Sequence, residues 1–258
     1  MVLVSPVNIS EGRGGPALER ILAAAGPSLL DVHSDVHHNR SVVTVIDPRP
    51  LVRAAVAELD LREHVGVHPR FGVVDVVPFV PFGAATIADA VAAREGFIAW
   101  LEAELGVTAV AYGEGAASLP VLRRDVLPRM TGHPTAGVVA VGARRPLVAY
   151  NVWVDTDLTT AQHVARAVRS PAIRALGFPV GERIQVSMNL VTPLTVGPAA
   201  AYDAVAALVP ALGAELVGLV PDAVLRAVPD ARWAELDLAV DKTVEARLTR
   251  FSSEKRSS

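Results

Sequence analysis

The stretch His64-Val65-Gly66-Val67-His68-Pro69-Arg70-Phe71-Gly72 runs without a break into Val73-Val74-Asp75-Val76-Val77-Pro78-Phe79-Val80-Pro81. So dense a run of valine and phenylalanine reads as a buried strand over residues 73–77, which obliges the rest of the chain to cover it. Small polar turn residues usually link a helix to such a strand. Here two histidines, an arginine and two glycines do so. Titratable groups held at such a junction suit a site that moves a proton near neutral pH. The simpler reading is a surface turn, with His64 ending a helix and His68 hydrogen-bonded in the core. Taken alone, the segment leaves both open.

Composition narrows the class. The 258 residues are 51% hydrophobic and 20% charged, which describes a globular chain with sizeable cores. There is no cysteine, so disulfides, thiolate metal sites and cysteine nucleophiles are excluded. The only lysines are Lys242 and Lys255, which argues against Schiff-base chemistry and a P-loop. Arginine carries the positive charge, and its planar fork suits carboxylates. A net charge of -3 offers no footprint for nucleic acid. No apolar window is long enough to span a membrane, and Met1-Val2-Leu3-Val4-Ser5-Pro6 has no basic leader, so a cytoplasmic location is expected.

Periodicity places strands at 2–7, 28–33, 41–46, 73–77 and 107–112, with helices at 17–25, 50–64 and 86–105. Residues after Arg124 read as a loop to Gly137. A second block has an apolar stretch at 146–154, helices at 159–169, 199–209 and 233–248, and strands at 184–190 and 215–220. The region from Pro171 to Gly181 allows a further short strand or turn. The expected fold class is therefore α/β of the α+β type, in two half-domains, each a mixed or antiparallel sheet with helices on one face. The expected boundaries are 1–145 and 146–250, with a flexible tail at 251–258.

Three other motifs are weak. Gly113-Glu114-Gly115 follows a strand as a dinucleotide turn would, but Ser118 replaces the third glycine and Pro120 cuts the helix that should follow. A metal site would need His33, His37 and His68 to converge, and no pair has a familiar ligand spacing, so no metal is expected. There is no Gly-x-Ser-x-Gly. Polar residues at strand ends, namely Asn8 with Glu11, Asn39 with Arg40, Arg70, Thr135 and Arg144, are partly turn chemistry. The three arginines among them point to a ligand with several carboxylates.

Taken in order, several segments resemble the formiminotransferase family. They are Val7-Asn8-Ile9-Ser10-Glu11-Gly12, Asp31 to Val42 with Asn39-Arg40, and His64-x-Gly66-x-His68-Pro69-Arg70-x-Gly72. Further on come Tyr112-Gly113-Glu114, His133-Pro134-Thr135-Ala136-Gly137 leading to Gly142-Ala143-Arg144, Ala149-Tyr150-Asn151-Val152, and Leu216-Val217-Gly218-Leu219-Val220-Pro221. The resemblance spans about residues 5 to 222.

It implies a transferase that moves a formimino or formyl group from N-formimino-L-glutamate to tetrahydrofolate, in histidine degradation and one-carbon metabolism. It also implies two half-domains with facing sheets and a ligand groove between them, and a possible homodimer. His68 is implied as the general acid/base. Asn8, Asn39, Arg40, Arg70, Gly72, Gly132, His133, Thr135, Ala136, Gly137, Gly142 and Arg144 are implied to bind substrate or folate, with 132–142 lying along the folate. Tetrahydrofolate would be a co-substrate, and no metal is needed.

The 258 residues hold no cyclodeaminase block. Val65 and Val67 stand where the family usually has Lys and Glu. That change makes two rivals credible: an enzyme of the same fold acting on another amidine or amide, and a non-catalytic folate-binding module.

Overall fold

A computed structural model describes residues 2–66 and 70–257. The chain divides into two compact units, Met1–Arg145 and Pro146–Ser258.

The first unit is built on a six-stranded mixed sheet. Its strands are β1 (Val2–Ile9), β2 (Leu29–Asp35), β3 (Arg40–Val45), β4 (Val74–Phe82), β5 (Thr108–Gly113) and β6 (Val138–Ala143), in the order β2-β3-β1-β4-β6-β5. β1, β2 and β3 pair antiparallel, as do β1 and β4, while β4, β6 and β5 run parallel. Val7, Ile9, Val43, Val45, Val77, Phe79, Val139 and Val141 point to one side. There they pack against α1 (Pro16–Ala25), α2 (Arg49–Glu58) and α3 (Ile87–Leu105). A capping box starts α3: Thr86 Oγ1 accepts from Asp89 N at 3.2 Å and Asp89 Oδ2 accepts from Thr86 N at 2.7 Å. Gly106, at φ 61°, closes it.

The other side of this sheet is where structure and sequence expectation part. Residues 119–129, of which those after Arg124 were expected in a loop, are helical. They form a chain of short helical turns, beginning with α4 (Leu119–Val121), that presses Leu122 and Leu127 onto Val76, Tyr112, Val138 and Ala140. β6, absent from the sequence-based assignment, is the strand those residues cover. It is buried along its whole length because it lies between two parallel neighbours with both faces packed.

Two further corrections follow from local chemistry. α2 ends at Glu58 rather than His64, because Leu59 turns extended and Leu61 N donates to Thr135 O at 2.7 Å. β4 continues through Pro78 to Phe82. The β1–β4 register places Pro6 opposite Pro78, so two residues without an N–H share one unpaired stretch of ladder.

The second unit is a four-stranded antiparallel sheet, β10-β7-β9-β8, of β7 (Val148–Val154), β8 (Ile173–Val180), β9 (Arg183–Leu190) and β10 (Ala211–Val217). Its core side carries Tyr150, Val152, Val186 and Met188 against α5 (Leu158–Ala167), α6 (Pro198–Ala206) and α7 (Asp222–Arg226). The region around Pro171 is thus followed by a full strand. The final helix α8 (Val244–Ser257) starts eleven residues later than periodicity placed it. Asp237 adopts φ 55°, and Tyr150 Oη donates to Leu236 O at 2.9 Å, which together hold residues 233–243 in turns. Among the described residues no helix is long and apolar enough to cross a membrane.

Candidate active site

The side of the first sheet away from α1, α2 and α3 gathers the charged residues. Strand alternation puts Asn8 and Val42 on that side, opposite each other, with Val76 next to Asn8 on β4. Arg40 shares it at the start of β3. At Asn8 the β1–β4 register slips: Asn8 pairs with Val76 but Ile9 pairs with Val74, leaving Asp75 as the extra residue of a bulge. A bulge re-aims a side chain that strict alternation would send elsewhere. The Asp75 carboxylate, 2% exposed, makes a short ion pair with Arg123, lies 3.9 Å from Arg70 Nη1, and accepts from Phe71 N at 3.3 Å.

Around this one carboxylate stand several guanidiniums. The Arg70 side chain is as buried as Asp75. Burial lowers its pKa, Asp75 opposes that, and Arg123 adds to it. Arg40 is pushed down to about 10, by burial first and then by Arg70, with Asp75 pulling back. Arg144, the residue after β6, faces the buried Tyr112 hydroxyl. Burial raises the Tyr112 pKa, and Arg144 partly offsets the rise. Arg40, Arg70, Arg123 and Arg144 therefore outnumber Asp75, with Asp35 also acting on Arg40. Arg70 Nε and Nη1 and Asn8 Oδ1 are buried with no hydrogen-bond partner among the described residues. A region so arranged favours an anionic ligand.

Arg40, Arg70 and Arg144, expected from sequence, come together here. Asp75, Arg123 and Tyr112 join them and were missed. His68, the expected acid/base, lies outside the described residues, as do Val67 and Pro69.

His64 does not end α2 but caps a short 3-10 helix. It follows a 3-10 turn (Leu61–Glu63), and its Nδ1 lies 3.4 Å from Asn39 Nδ2. Asn39 itself sits at φ 45° and ties three segments together. Its Oδ1 accepts from Gly12 N at 3.0 Å and its Nδ2 donates to Val65 O at 3.0 Å. Arg13 Nη2 donates to the same carbonyl at 2.9 Å.

The expected folate-side residues do different work. His133 Nδ1 accepts from Thr135 N at 3.3 Å and Ala136 N at 3.1 Å, closing a turn that Gly137 completes at φ 72°. A Cβ at Gly137 would lie 2.2 Å from Phe71 O. Gly72 and Gly137 are bridged, and Val73 N donates to Ala136 O at 3.0 Å, so the turn buttresses the loop that carries Arg70. Gly132 packs against the Gly137 backbone. Gly142 lies beneath Tyr112, whose ring occupies the space a Cβ would need, 2.1 Å from Cζ. Among the described residues no group of three His, Cys, Asp or Glu could hold a metal ion.

Residues 2–144 match the family model described as the formiminotransferase domain, N-terminal subdomain. Glutamate formimidoyltransferase of Streptococcus pyogenes serotype M1 is 34% identical over 71% of this chain and 75% of its own length. Glutamate formimidoyltransferase of Thermoplasma acidophilum is 31% identical over 84% of the chain and 88% of its own. Formimidoyltransferase-cyclodeaminase of Sus scrofa is 32% identical over 87% of the chain, which spans 50% of that protein.

Proposed function

The chain belongs to the formiminotransferase family, and on that premise we propose that it moves a formimino group from N-formimino-L-glutamate to tetrahydrofolate. The observation that carries the reading is the arginine cluster with its single buried carboxylate. Both substrates are anions through their glutamate carboxylates, and Arg40, Arg70 and Arg144 suit bidentate capture of them. Arg123 is held by Asp75 at the centre of that cluster.

In the reaction, folate N5 attacks the amidine carbon and loses its proton to the His68 imidazole. The tetrahedral adduct collapses, the carbon–nitrogen bond to glutamate breaks, and His68 returns the proton to the departing amine. One imidazole near its ordinary pKa serves both steps. Holding both substrates by their carboxylates supplies the proximity the bimolecular step needs. The folate-side residues Gly132, His133, Thr135, Ala136, Gly137 and Gly142 act by fixing the loop of Arg70 and the seat of Tyr112. The reading includes a place in histidine degradation and one-carbon metabolism, a cytoplasmic location and a homodimer.

The test is turnover of formiminoglutamate with tetrahydrofolate, followed by the absorbance of the cyclised folate product. Wild type should turn over, and His68→Asn should lower kcat by roughly two to four orders of magnitude. Activity of the variant within threefold of wild type removes His68 from the mechanism. No transfer by wild type removes the reading.

A further inference from the structure

His64 is the residue of this site whose role no family-level reading supplies. Its hydrogen-bond roles can be deduced from Asn39. The Asn39 side chain is fixed at both ends: its oxygen accepts from Gly12 N and its nitrogen donates to Val65 O. The amide therefore cannot be turned over, and the second N–H of Nδ2 is the one that points at His64 Nδ1, 3.4 Å away. A ring nitrogen facing a donor must be the bare one. Neutral His64 then carries its proton on Nε2.

That Nε2–H is buried and has no hydrogen-bond partner among the described residues. The Ser10 carbonyl is near enough to favour a charged ring without making an ordinary hydrogen bond to it. The other groups facing the imidazole are Arg70, Glu11 and Arg13. Burial, then Arg70, lowers the His64 pKa, with the Ser10 carbonyl and Glu11 opposing, so the ring stays uncharged at neutral pH. Arg70 Nε is likewise buried with no hydrogen-bond partner among the described residues, while its Nη1 faces Asp75 Oδ2 at 3.9 Å. Buried donors left unmade cost the folded state, and His64 Nε2 and Arg70 Nε, on side chains that act on each other electrostatically, suit one acceptor group.

We propose that His64 is a substrate-binding residue, held by Asn39 as the Nε2–H tautomer, which donates a hydrogen bond to a carboxylate oxygen of the ligand seated at Arg70. This rests on the carboxylate-bearing substrate proposed above. It adds a neutral, directional donor beside the guanidinium. Such a donor selects the orientation of the carboxylate plane, which a cation alone does not.

The test uses the 15N-labelled full chain and the long-range histidine spectrum at pH 7, with His64 assigned by its disappearance in His64→Gln. The expected result is a bare Nδ1 and a protonated Nε2, and Asn39→Asp should move the proton to Nδ1 or charge the ring. An Nδ1–H or imidazolium form in wild type overturns the proposal. L-Glutamate should then shift the His64 Nε2 resonance.

In steady-state assays His64→Asn, which keeps a group only where Nδ1 lies, should raise KM for formiminoglutamate tenfold or more with kcat much less changed. His64→Gln places an amide N–H where Nε2 lies and should stay within about threefold. Equal KM for the two variants, or saturating glutamate that leaves the resonance unmoved, overturns the proposal. Wild type that binds glutamate with the expected shift yet transfers nothing refutes the activity instead.

Discussion

The two sheets place polar residues on their non-core sides in opposite ways. In the first unit, a bulge buries Asp75 among several guanidiniums, leaving excess positive charge and unpaired donors. In the second, Asn151 Nδ2 donates to Glu215 Oε2 at 2.9 Å across paired strands, and Arg183 stacks 4.1 Å over the Trp153 ring. There, in-register strand pairing gives Asn151 and Arg183 each a neighbouring partner, whereas the bulge at Asp75 leaves a charge imbalance that suits an anionic ligand. Gln185 of β9 is fully buried, and neither of its amide atoms has a hydrogen-bond partner among the described residues.

The contrast breaks if the two carboxylates cost the same to remove. Asp75→Asn strips the carboxylate shared by buried Arg70 and Arg123, and should destabilise by roughly 3–5 kcal/mol in urea unfolding. Glu215→Gln exchanges one acceptor for another beside Asn151, in a half-buried setting, and should cost about 1 kcal/mol or less. Equal losses would mean that the cluster is not held by its single anion.

A smaller effect concerns His64. Its folded-state pKa is lowered, so the unfolded chain takes up a proton near pH 6.5 while the folded chain does not. The unfolded state then binds more protons, and stability must fall as pH drops below about 6.5. His64→Gln should remove that part of the acid slope. An unchanged slope between pH 7 and 5 would show that the imidazole is not desolvated.

What the sequence made legible follows from what is local. Alternation and amphipathic spacing locate nearly every element of both sheets, and arginines at strand ends mark Arg40, Arg70 and Arg144. β6 escaped because a short run buried on both faces carries no period, and it followed a glycine-rich turn. Asp75 carries no local signal of its place at the arginines, because a bulge is set by the partner strand and leaves no local mark. Arg123 had a signal: Leu119, Leu122, Val126 and Leu127 stand at helical spacing, but Pro120 and Pro128 obscured it. His64 was assigned to a helix end because its link to Asn39, 25 residues away, is tertiary.

The central claim is that the guanidinium cluster of the first unit captures substrate carboxylates. The direct measurement is kcat/KM for N-formimino-L-glutamate against N-formiminoglycine, which lacks the side-chain carboxylate, in wild type and Arg70→Lys. Wild type should favour the glutamate derivative by roughly tenfold to a hundredfold, the scale of a charge-assisted hydrogen bond or two. Arg70→Lys, a point charge in place of a fork, should lose most of that preference. Equal kcat/KM for the two donors in wild type, or a preference untouched in Arg70→Lys, would contradict it.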